Sequence, residues 1–281
     1  MLIRKQDLSV LLFYYLGYSR IRNLILRLQH RPVARFITFH DIIPESVECF
    51  KSNLHFLKQY TNVVSLDDFF SGRLSSDRIN VVITFDDGYK SWVSHGIPIL
   101  RDLRLPATFF VSSGFVSLSK EDEAEFIQSK LFSNPRNQRQ ISAGLSFDDV
   151  RSIIEKGFTI GGHTVNHCNL GKLRARNQVQ YEISEDKKRL ETITGGKVKY
   201  FSYPGGDYLN PVIHLPSVLK DAGYIGAVTT VSGFNYVGSN PYLLRRDLTG
   251  ASLPGRVFRA RVYGNYDAVR CIKQQALKVF Q

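Results

Sequence analysis

The stretch that decides the fold is Val81-Val-Ile-Thr-Phe85, an apolar run that ends directly in Asp86-Asp87-Gly88. A short, near-continuous apolar run is typical of a buried strand in a parallel sheet. Similar runs recur along the chain; they are Arg35–Phe39, Val63–Leu66, Ala107–Val111, Phe158–Ile160, Tyr200–Tyr203 and Tyr224–Val228. Helix-like stretches lie between most of them; they are Ser46–Tyr60, Ile97–Leu103, Phe147–Lys156, Asn177–Thr192 and Pro216–Gly223. This alternation predicts a parallel α/β fold, and the number of units favours a barrel.

Residues 113–146 interrupt the alternation. This stretch is polar and contains Asn134-Pro135-Arg136-Asn137, which predicts an inserted lid or an irregular loop.

Chemically active side chains follow four of the apolar runs. His40-Asp41, Asp86-Asp87, the pair His163 and His167, and Pro204-Gly205 each come directly after a predicted strand or within a few residues of it. The active sites of parallel α/β folds lie at the carboxyl ends of the strands, so we expect these four groups to converge.

Taken singly, these motifs are weak. Asp-Asp-Gly is also typical of a turn or a helix N-cap. Two histidines four residues apart would share a face if they lay on one helical turn, although Gly161-Gly162 favours a loop. Together, Asp87, His163 and His167 form a two-histidine, one-aspartate set with open positions, which predicts a catalytic metal centre.

At this point the residues resemble a known family. Thr84-Phe-Asp-Asp-Gly88, His163-Thr-Val-Asn-His167 and the Pro204 loop, in this order, resemble the polysaccharide deacetylases, the NodB-homology enzymes of carbohydrate esterase family four. The resemblance covers roughly residues 35–250. It implies a distorted (β/α)7 TIM-like barrel and the removal of acetyl groups from sugars. It also implies one divalent metal ion, usually zinc, with nickel, cobalt or manganese as alternatives.

The resemblance assigns a role to each matching residue. Asp86 would be the general base, and Asp87, His163 and His167 the metal ligands. The backbone N–H of Gly205 would donate to the oxyanion. Substrate contacts are expected from Tyr203, Pro204 and Trp92, with core packing as the alternative for Trp92.

The sequence departs from the usual family pattern in three places. No histidine follows His214, so the C-terminal motif that carries the general acid is missing. Phe39-His40-Asp41 fits the circularly permuted poly-N-acetylglucosamine deacetylase subset, which makes His40 the expected acid. Ser202 and Gly205 stand where the Pro loop normally has an arginine and an aromatic residue. Arg246 is expected to supply that cation, and Asp247 is the candidate for the acid that tunes His40.

The N-terminus has a character of its own. Leu8–Tyr18 is an apolar run of 11 residues, too short to span a bilayer, and no cleavable signal pattern follows it. Residues 18–30 have the periodicity of a basic amphipathic helix. Residues 1–35 carry seven basic residues and one acid, which is half of the net charge of +12. We therefore expect residues 1–34 to be a membrane-surface segment, and residues 35–270 to be the catalytic domain.

Within that segment, residues 1–30 are predicted to hold the protein peripherally on an anionic membrane, at its cytoplasmic face. The alternatives are a helix packed on the domain or in an oligomer interface, and an uncleaved signal anchor.

Composition limits the remaining function classes. Outside the N-terminus the 281-residue chain is only mildly basic, which argues against nucleic acid as a partner. The three widely spaced cysteines build neither a disulfide scaffold nor a zinc finger and favour a reducing compartment. The function predicted is N-deacetylation of an amino sugar in a glycan or a lipid-linked saccharide. The alternatives are a deformylase or amidase on a lipid-linked or small amino sugar, and a non-catalytic glycan-binding protein.

Overall fold

Parallel strands form the centre of the molecule. The computed structural model of the chain describes residues 31–131, 143–206 and 208–267, together with positions 11, 15–17, 21 and 24. Its strands are β1 Val33–Phe39, β2 Asn62–Val63, β3 Asn80–Phe85, β4 Thr108–Val111, β5 Thr159–Gly162, β6 Tyr200–Ser202, β7 Gly226–Val228, β8 Phe234–Tyr236 and β9 Asp247–Leu248. They pair in the order β7-β6-β5-β4-β3-β1, all parallel. The predicted parallel α/β architecture is confirmed.

A single late segment of the chain closes this curled sheet. On one side, the Leu244 amide donates to the carbonyl of Ala227 in β7 at 3.0 Å. On the other side, β9 pairs in parallel with β1. The sheet is thereby curled into the distorted seven-stranded barrel that the resemblance implied, with residues 244–248 as the closing strand.

Two strands extend the barrel at its amino end. β8 runs antiparallel to the start of β1, with Val33 opposite Tyr236, and the short β2 pairs with the start of β3. The apolar run at Val63–Leu66, predicted as one strand, is divided between β2 and the helix that follows it. Ser65 caps that helix through reciprocal hydrogen bonds with Asp68, which ends the strand at this point.

Helices surround the sheet. They are α1 Val47–Tyr60, α2 Leu66–Phe70, α3 Ile97–Asp102, α4 Lys120–Phe126, α5 Phe147–Glu155, α6 Arg176–Gln180, α7 Asp186–Thr194, α8 Leu215–Asp221 and α9 Gly255–Val262. α5 shows why the local sequence is helical: Ser146 and Asp149 form a capping box, and the apolar Val150 and Ile153 lie three residues apart on the buried face.

Side chains two residues apart on each strand fill the inside of the barrel. Every barrel strand except β5 contributes an apolar side chain to this inner cluster, which includes Phe36, Val82, Phe110, Tyr200, Val228 and Leu244. α2 closes the amino end, where the rings of Phe36 and Phe69 lie 4.9 Å apart. The opposite, carboxyl end is left to polar groups.

The inserted segment, predicted as a lid or an irregular loop, contains helical structure. Its described part contains α4, continued by a wider helical turn at Ile127–Leu131. The helix is anchored because Phe126 stacks on Phe115, with the ring centroids 5.0 Å apart.

Residues 1–30 of the predicted membrane-surface segment lie outside the described residues, apart from the six isolated positions, so their role stays a prediction. Val33 and Ala34 at its end are the first residues of β1. Within the ranges that the structure covers, none of the helices has the length and apolar character needed to cross a bilayer.

Gly162 at the end of β5 has a steric role that a substitution can test. A Cβ at this position would overlap the Tyr224 Oη and lie 2.7 Å from the Asp186 Oδ2. We expect Gly162→Ala to lower the free energy of unfolding by about 1–3 kcal/mol, the usual cost of overpacking, as measured by urea denaturation.

The matched control is Gly196→Ala, because no atom lies within 4 Å of the Cβ added there. Tyr224→Phe combined with Gly162→Ala should recover part of the loss, since it removes a hydroxyl that is buried without a hydrogen-bond partner in the described structure. Equal stability of the two alanine variants would contradict this account.

Candidate active site

The side-chain alternation that places apolar residues inside the barrel also places polar residues at its carboxyl end. Phe36, Val82 and Tyr200 lie inside the barrel. Followed along the same strands towards the carboxyl end, the alternation reaches His40, Asp86 and Ser202. Arg246 occupies the equivalent position two residues beyond Leu244 on the closing strand. The barrel thus places these four side chains at one end, where the sequence predicted convergence.

Asp87, His163 and His167 form one cluster. The Nε2 of His163 lies 3.4 Å from the Asp87 Oδ1, and the Nε2 of His167 lies 3.2 Å from the same oxygen. One ligand atom from each of the three residues lies within 4.8 Å of the others. Two imidazoles and one carboxylate are a donor set suited to a divalent ion such as zinc, with positions left open. The residues present therefore fit the implied metal.

The chain reaches this arrangement without a helix. Residues 163–167 form a loop, in which Thr164 and His167 have φ values of 65° and 49°. The two histidines therefore meet because the loop turns back on itself. Asp87 also has a left-handed φ, of 92°. Such values are uncommon outside glycine and concentrate at functional sites, where the surrounding structure holds them.

Backbone carbonyls orient both imidazoles. The Nδ1 of His163 lies 2.7 Å from the Ser202 carbonyl oxygen, and the Nδ1 of His167 lies 2.9 Å from the Lys130 carbonyl oxygen. A carbonyl oxygen only accepts, so each Nδ1 carries a proton and each Nε2 is the ring nitrogen turned towards Asp87. That nitrogen donates to Asp87 when protonated and would offer its lone pair to a bound metal ion. The second of these carbonyls comes from the inserted segment, which sequence reasoning did not connect with the site.

The electrostatics of Asp87 match a cation site. Burial raises the pKa of its carboxyl, but the charge of His167 and hydrogen bonds from both histidines outweigh burial and hold the pKa well below its ordinary value. The carboxylate is therefore ionised at neutral pH. Tyr89 is nearly fully buried, and burial together with the nearby negative charge of Asp87 raises the pKa of its phenol; this neighbour of Asp87 was missed from the sequence.

Asp86 has a different partner. The Arg246 guanidinium binds it through two hydrogen bonds, Nη1 to Oδ1 at 2.7 Å and Nη2 to Oδ2 at 2.6 Å. Arg246 also donates to the hydroxyls of Ser202 at 2.8 Å and Thr84 at 3.1 Å, and its Nε donates to the Thr229 carbonyl at 3.2 Å. Arg246 is thus the cation that meets Asp86. The hydroxyls of Ser202 and Thr84 thus also contact the guanidinium. Both residues could have been found from the sequence, because each lies two residues after an inward-facing residue of its strand.

The pKa of Asp86 follows from this pairing. Burial raises it, while the positive charges of Arg246 and His163 lower it, and the net pKa lies below the ordinary value. The carboxylate is fully buried in the barrel, with its negative charge matched by one fixed cation.

His40 lies beside both aspartates. A positive charge on its ring lowers the pKa of Asp86 and of Asp87, which places the imidazole near both carboxylates. Its backbone is held because the Trp92 Nε1 donates to the His40 carbonyl at 2.9 Å. The side chain is half-buried, so a substrate at the mouth can reach it.

The expectation for Asp247 is wrong. It lies on the outer face of the barrel, where its Oδ2 accepts from the Nη1 of the buried Arg35 at 2.5 Å. Neighbouring residues on a strand point to opposite sides, so with Arg246 inside, Asp247 must face outwards.

Two of the expected substrate contacts also need correction. Trp92 and Tyr203 are 0% exposed. Trp92 packs between Phe85 and Phe109, and the Tyr203 hydroxyl donates to the Tyr242 carbonyl at 3.2 Å. Neither ring can stack on a sugar from these positions. The core alternative for Trp92 is therefore the correct one.

The Pro loop forms part of the mouth. Pro204 is buried, whereas Gly205 is exposed, with a left-handed φ of 66°. The Thr230 hydroxyl donates to the Gly205 carbonyl at 3.2 Å and holds this turn. Glycine adopts the left-handed region without strain, which explains the residue at this position.

Comparisons with known proteins agree on one family. Residues 74–226 match the family described as polysaccharide deacetylase. The chitooligosaccharide deacetylase of Azorhizobium caulinodans is 29% identical over 147 residues, which are 52% of this chain and 57% of that protein. The Bacillus subtilis protein YxkH is 24% identical over 65% of this chain and 56% of its own length. The chain thus spans a little over half the length of these curated relatives.

Solved structures share the fold. IcaB from Ammonifex degensii superposes with a TM-score of 0.67 at 21% identity, covering 83% of this chain and 97% of IcaB. The Streptococcus pyogenes deacetylase PplD, solved in complex with acetate, gives a TM-score of 0.64 at 18% identity and covers 83% of this chain and 99% of PplD. These likenesses confirm the predicted barrel.

The proposed ligand set can be tested with the metal alone. We expect the purified chain to bind one Zn²⁺, and His163→Ala to weaken that binding by at least ~100-fold, because it removes a direct ligand. Isothermal titration calorimetry measures both affinities. His214→Ala, which changes an exposed histidine away from the cluster, should bind as the unsubstituted chain does. Unchanged affinity in His163→Ala would refute the ligand assignment.

Proposed function

Because the chain belongs to the polysaccharide deacetylase family, we propose that it hydrolyses the N-acetyl group of an amino sugar in a glycan or a lipid-linked saccharide. The observation that carries this proposal is the pairing of two adjacent carboxylates with separate partners. Asp86 is bound by Arg246, and Asp87 lies against two histidines, at the same end of the barrel. This division leaves one carboxylate for proton transfer and one for a metal ion.

Asp87, His163 and His167 would hold a divalent ion, and zinc is the ion that this donor set suits best. When bound, such an ion supplies a Lewis acid that polarises the acetyl carbonyl and makes water more acidic. The carbonyls of Ser202 and Lys130 keep the two imidazoles turned for this role.

Asp86 acts as the general base. Its carboxylate stays ionised at neutral pH because of Arg246, and it accepts a proton from the water that attacks the acetyl carbon. The bidentate contact fixes the plane of the carboxylate as well as its charge.

His40 acts as the general acid. It gives a proton to the amide nitrogen as the carbon–nitrogen bond breaks, so that acetate and the free amine leave. The N–H of Gly205, an exposed residue at the mouth, donates to the oxygen that becomes negative during the attack. The elements of water are thereby added across the carbon–nitrogen bond. The reaction needs neither an oxidant nor a co-substrate other than water.

The same proposal includes the substrate's location. The basic, apolar N-terminal sequence favours a peripheral position on the cytoplasmic face of an anionic membrane, with a lipid-linked saccharide as substrate. A formyl amide on a similar sugar is the second candidate reaction, and it would release formate instead of acetate. The base, acid and ligand residues gathered at one end argue against a non-catalytic binding role.

The roles of Asp86 and His40 predict different defects from a ligand substitution. Asp86→Asn and His40→Ala should each lower the rate of acetate release by roughly 10²–10⁴-fold, the usual share of general acid–base catalysis. Both should still bind Zn²⁺, because neither residue is a ligand. Acetate is measured enzymatically, with formate measured in parallel.

His55→Ala is the matched control, because this histidine is exposed on α1. Full activity in His40→Ala would show that the acid lies elsewhere, and release of formate alone would replace the acetyl substrate with a formyl one.

The Arg246 pair predicts a pH effect. Because the guanidinium holds the pKa of Asp86 below its ordinary value, its removal leaves burial dominant and the pKa rises. The acidic limb of the kcat/KM profile should therefore move to higher pH in Arg246→Met, and by less in Arg246→Lys. Breaking the buried pair should also cost about 3–5 kcal/mol of stability.

The neighbouring Arg245→Met is the control, because Arg245 is exposed and its guanidinium binds only a carbonyl, that of Ser232 at 3.1 Å, among the contacts described. An acidic limb that stays in place in Arg246→Met would show that Asp86 is not the base that the profile reports.

A further inference from the structure

Two aliphatic side chains beside the mouth of the site are exposed to solvent. Leu209 is 68% exposed and Val212 is 67% exposed. Both lie in residues 208–213, the loop that leads from the Pro204 turn to α8. Single exposed aliphatic residues are ordinary on protein surfaces, but two in one short loop next to a catalytic turn need a reason.

Hydrogen bonds hold this loop in place. The Asn210 Nδ2 donates to the carbonyls of Leu170 at 2.8 Å and Leu173 at 2.6 Å. Its Oδ1 accepts from the amides of Val212 and Ile213, both at 2.9 Å. Asn210 thus fixes the loop against residues 170–173, and the two aliphatic side chains project from a rigid support.

The loop that Asn210 contacts is basic. Residues 168–175, which precede α6, contain Lys172 and Arg174 and no acidic residue. Both basic side chains are exposed, and Arg174 is held by a hydrogen bond to the Gly171 carbonyl at 3.0 Å. This loop begins directly after the ligand His167, so it lies at the same end of the barrel as the Pro204 turn.

We propose that Leu209, Val212, Lys172 and Arg174, here called the rim, dock on the surface of an anionic lipid bilayer with the mouth of the site facing the lipid headgroups. Aliphatic tips flanked by cations match the apolar interior and the negative headgroups of such a surface. The proposal deepens the proposed function, on which it rests for the substrate: a saccharide attached to a membrane lipid would meet the site directly.

Fluorescent labelling of the full chain tests the contact itself. Leu209→Cys is labelled with an environment-sensitive dye and mixed with phosphatidylglycerol vesicles. Val237→Cys is the matched control, because Val237 is 62% exposed but follows β8 at the amino end of the barrel. The unsubstituted chain, labelled in parallel, corrects for the native cysteines.

We expect the dye at position 209 to shift to the blue and to become several-fold less accessible to an aqueous quencher, while the dye at 237 changes in neither respect. A dye at 209 that stays fully quenchable at saturating vesicles, or equal protection at both positions, overturns the proposal. This readout needs no catalysis, so vesicle contact without any deacetylation would refute the proposed function and leave the rim proposal standing.

Rim variants extend the test to turnover. Leu209→Ser with Val212→Ser, and separately Lys172→Glu with Arg174→Glu, should lower the rate on a vesicle-bound substrate by ~10-fold, while rates on a soluble substrate stay unchanged. The controls are Val237→Ser and Arg78→Glu, an exposed arginine just before β3. Equal losses on both substrates would mean that these residues support the fold or the site rather than membrane contact.

Discussion

The buried pair of Arg246 and Asp86 is the constraint on which the site depends. Arg246 lies on the strand that closes the barrel, and its donors reach β3, β6 and the end of β7. A carboxylate at 3% exposure is costly unless a cation and hydrogen bonds meet it. Closing the barrel therefore also supplies the charge that allows Asp86 to be ionised inside it, and fold and site cannot be separated here.

Two adjacent aspartates reach the same end of the barrel because the strand ends just before them. Along a continuous strand, Asp86 and Asp87 would point to opposite faces. β3 stops at Phe85, and the left-handed φ of 92° at Asp87 turns the chain so that both carboxylates reach the same end of the barrel. One then meets a guanidinium and the other two imidazoles, which gives neighbouring residues of the same type separate electrostatic environments.

The surroundings of the site come from loops that differ in how they are held. The His167 imidazole is oriented by a carbonyl from the inserted segment, and that segment is anchored through Phe126 on Phe115. The loop with the exposed aliphatic residues is fixed by Asn210 against the loop that follows His167. In both cases a rigid support outside the barrel decides how the mouth is shaped and what it can approach.

By itself, the sequence determined the parallel strands, the end of the barrel that carries the chemistry, and the cluster of Asp87, His163 and His167. These features follow from local period and from position relative to a strand end, which a sequence displays directly. Only the tertiary structure decided which charge Arg246 meets, because its partner Asp86 lies 160 residues away and the contact exists only once the barrel closes. The same closure turned Asp247 outwards to Arg35, and packing buried Trp92 and Tyr203, whose aromatic character alone cannot distinguish a sugar platform from a core residue. The carbonyl of Lys130 could not be predicted either, since every residue has one and only the folded chain places it beside His167.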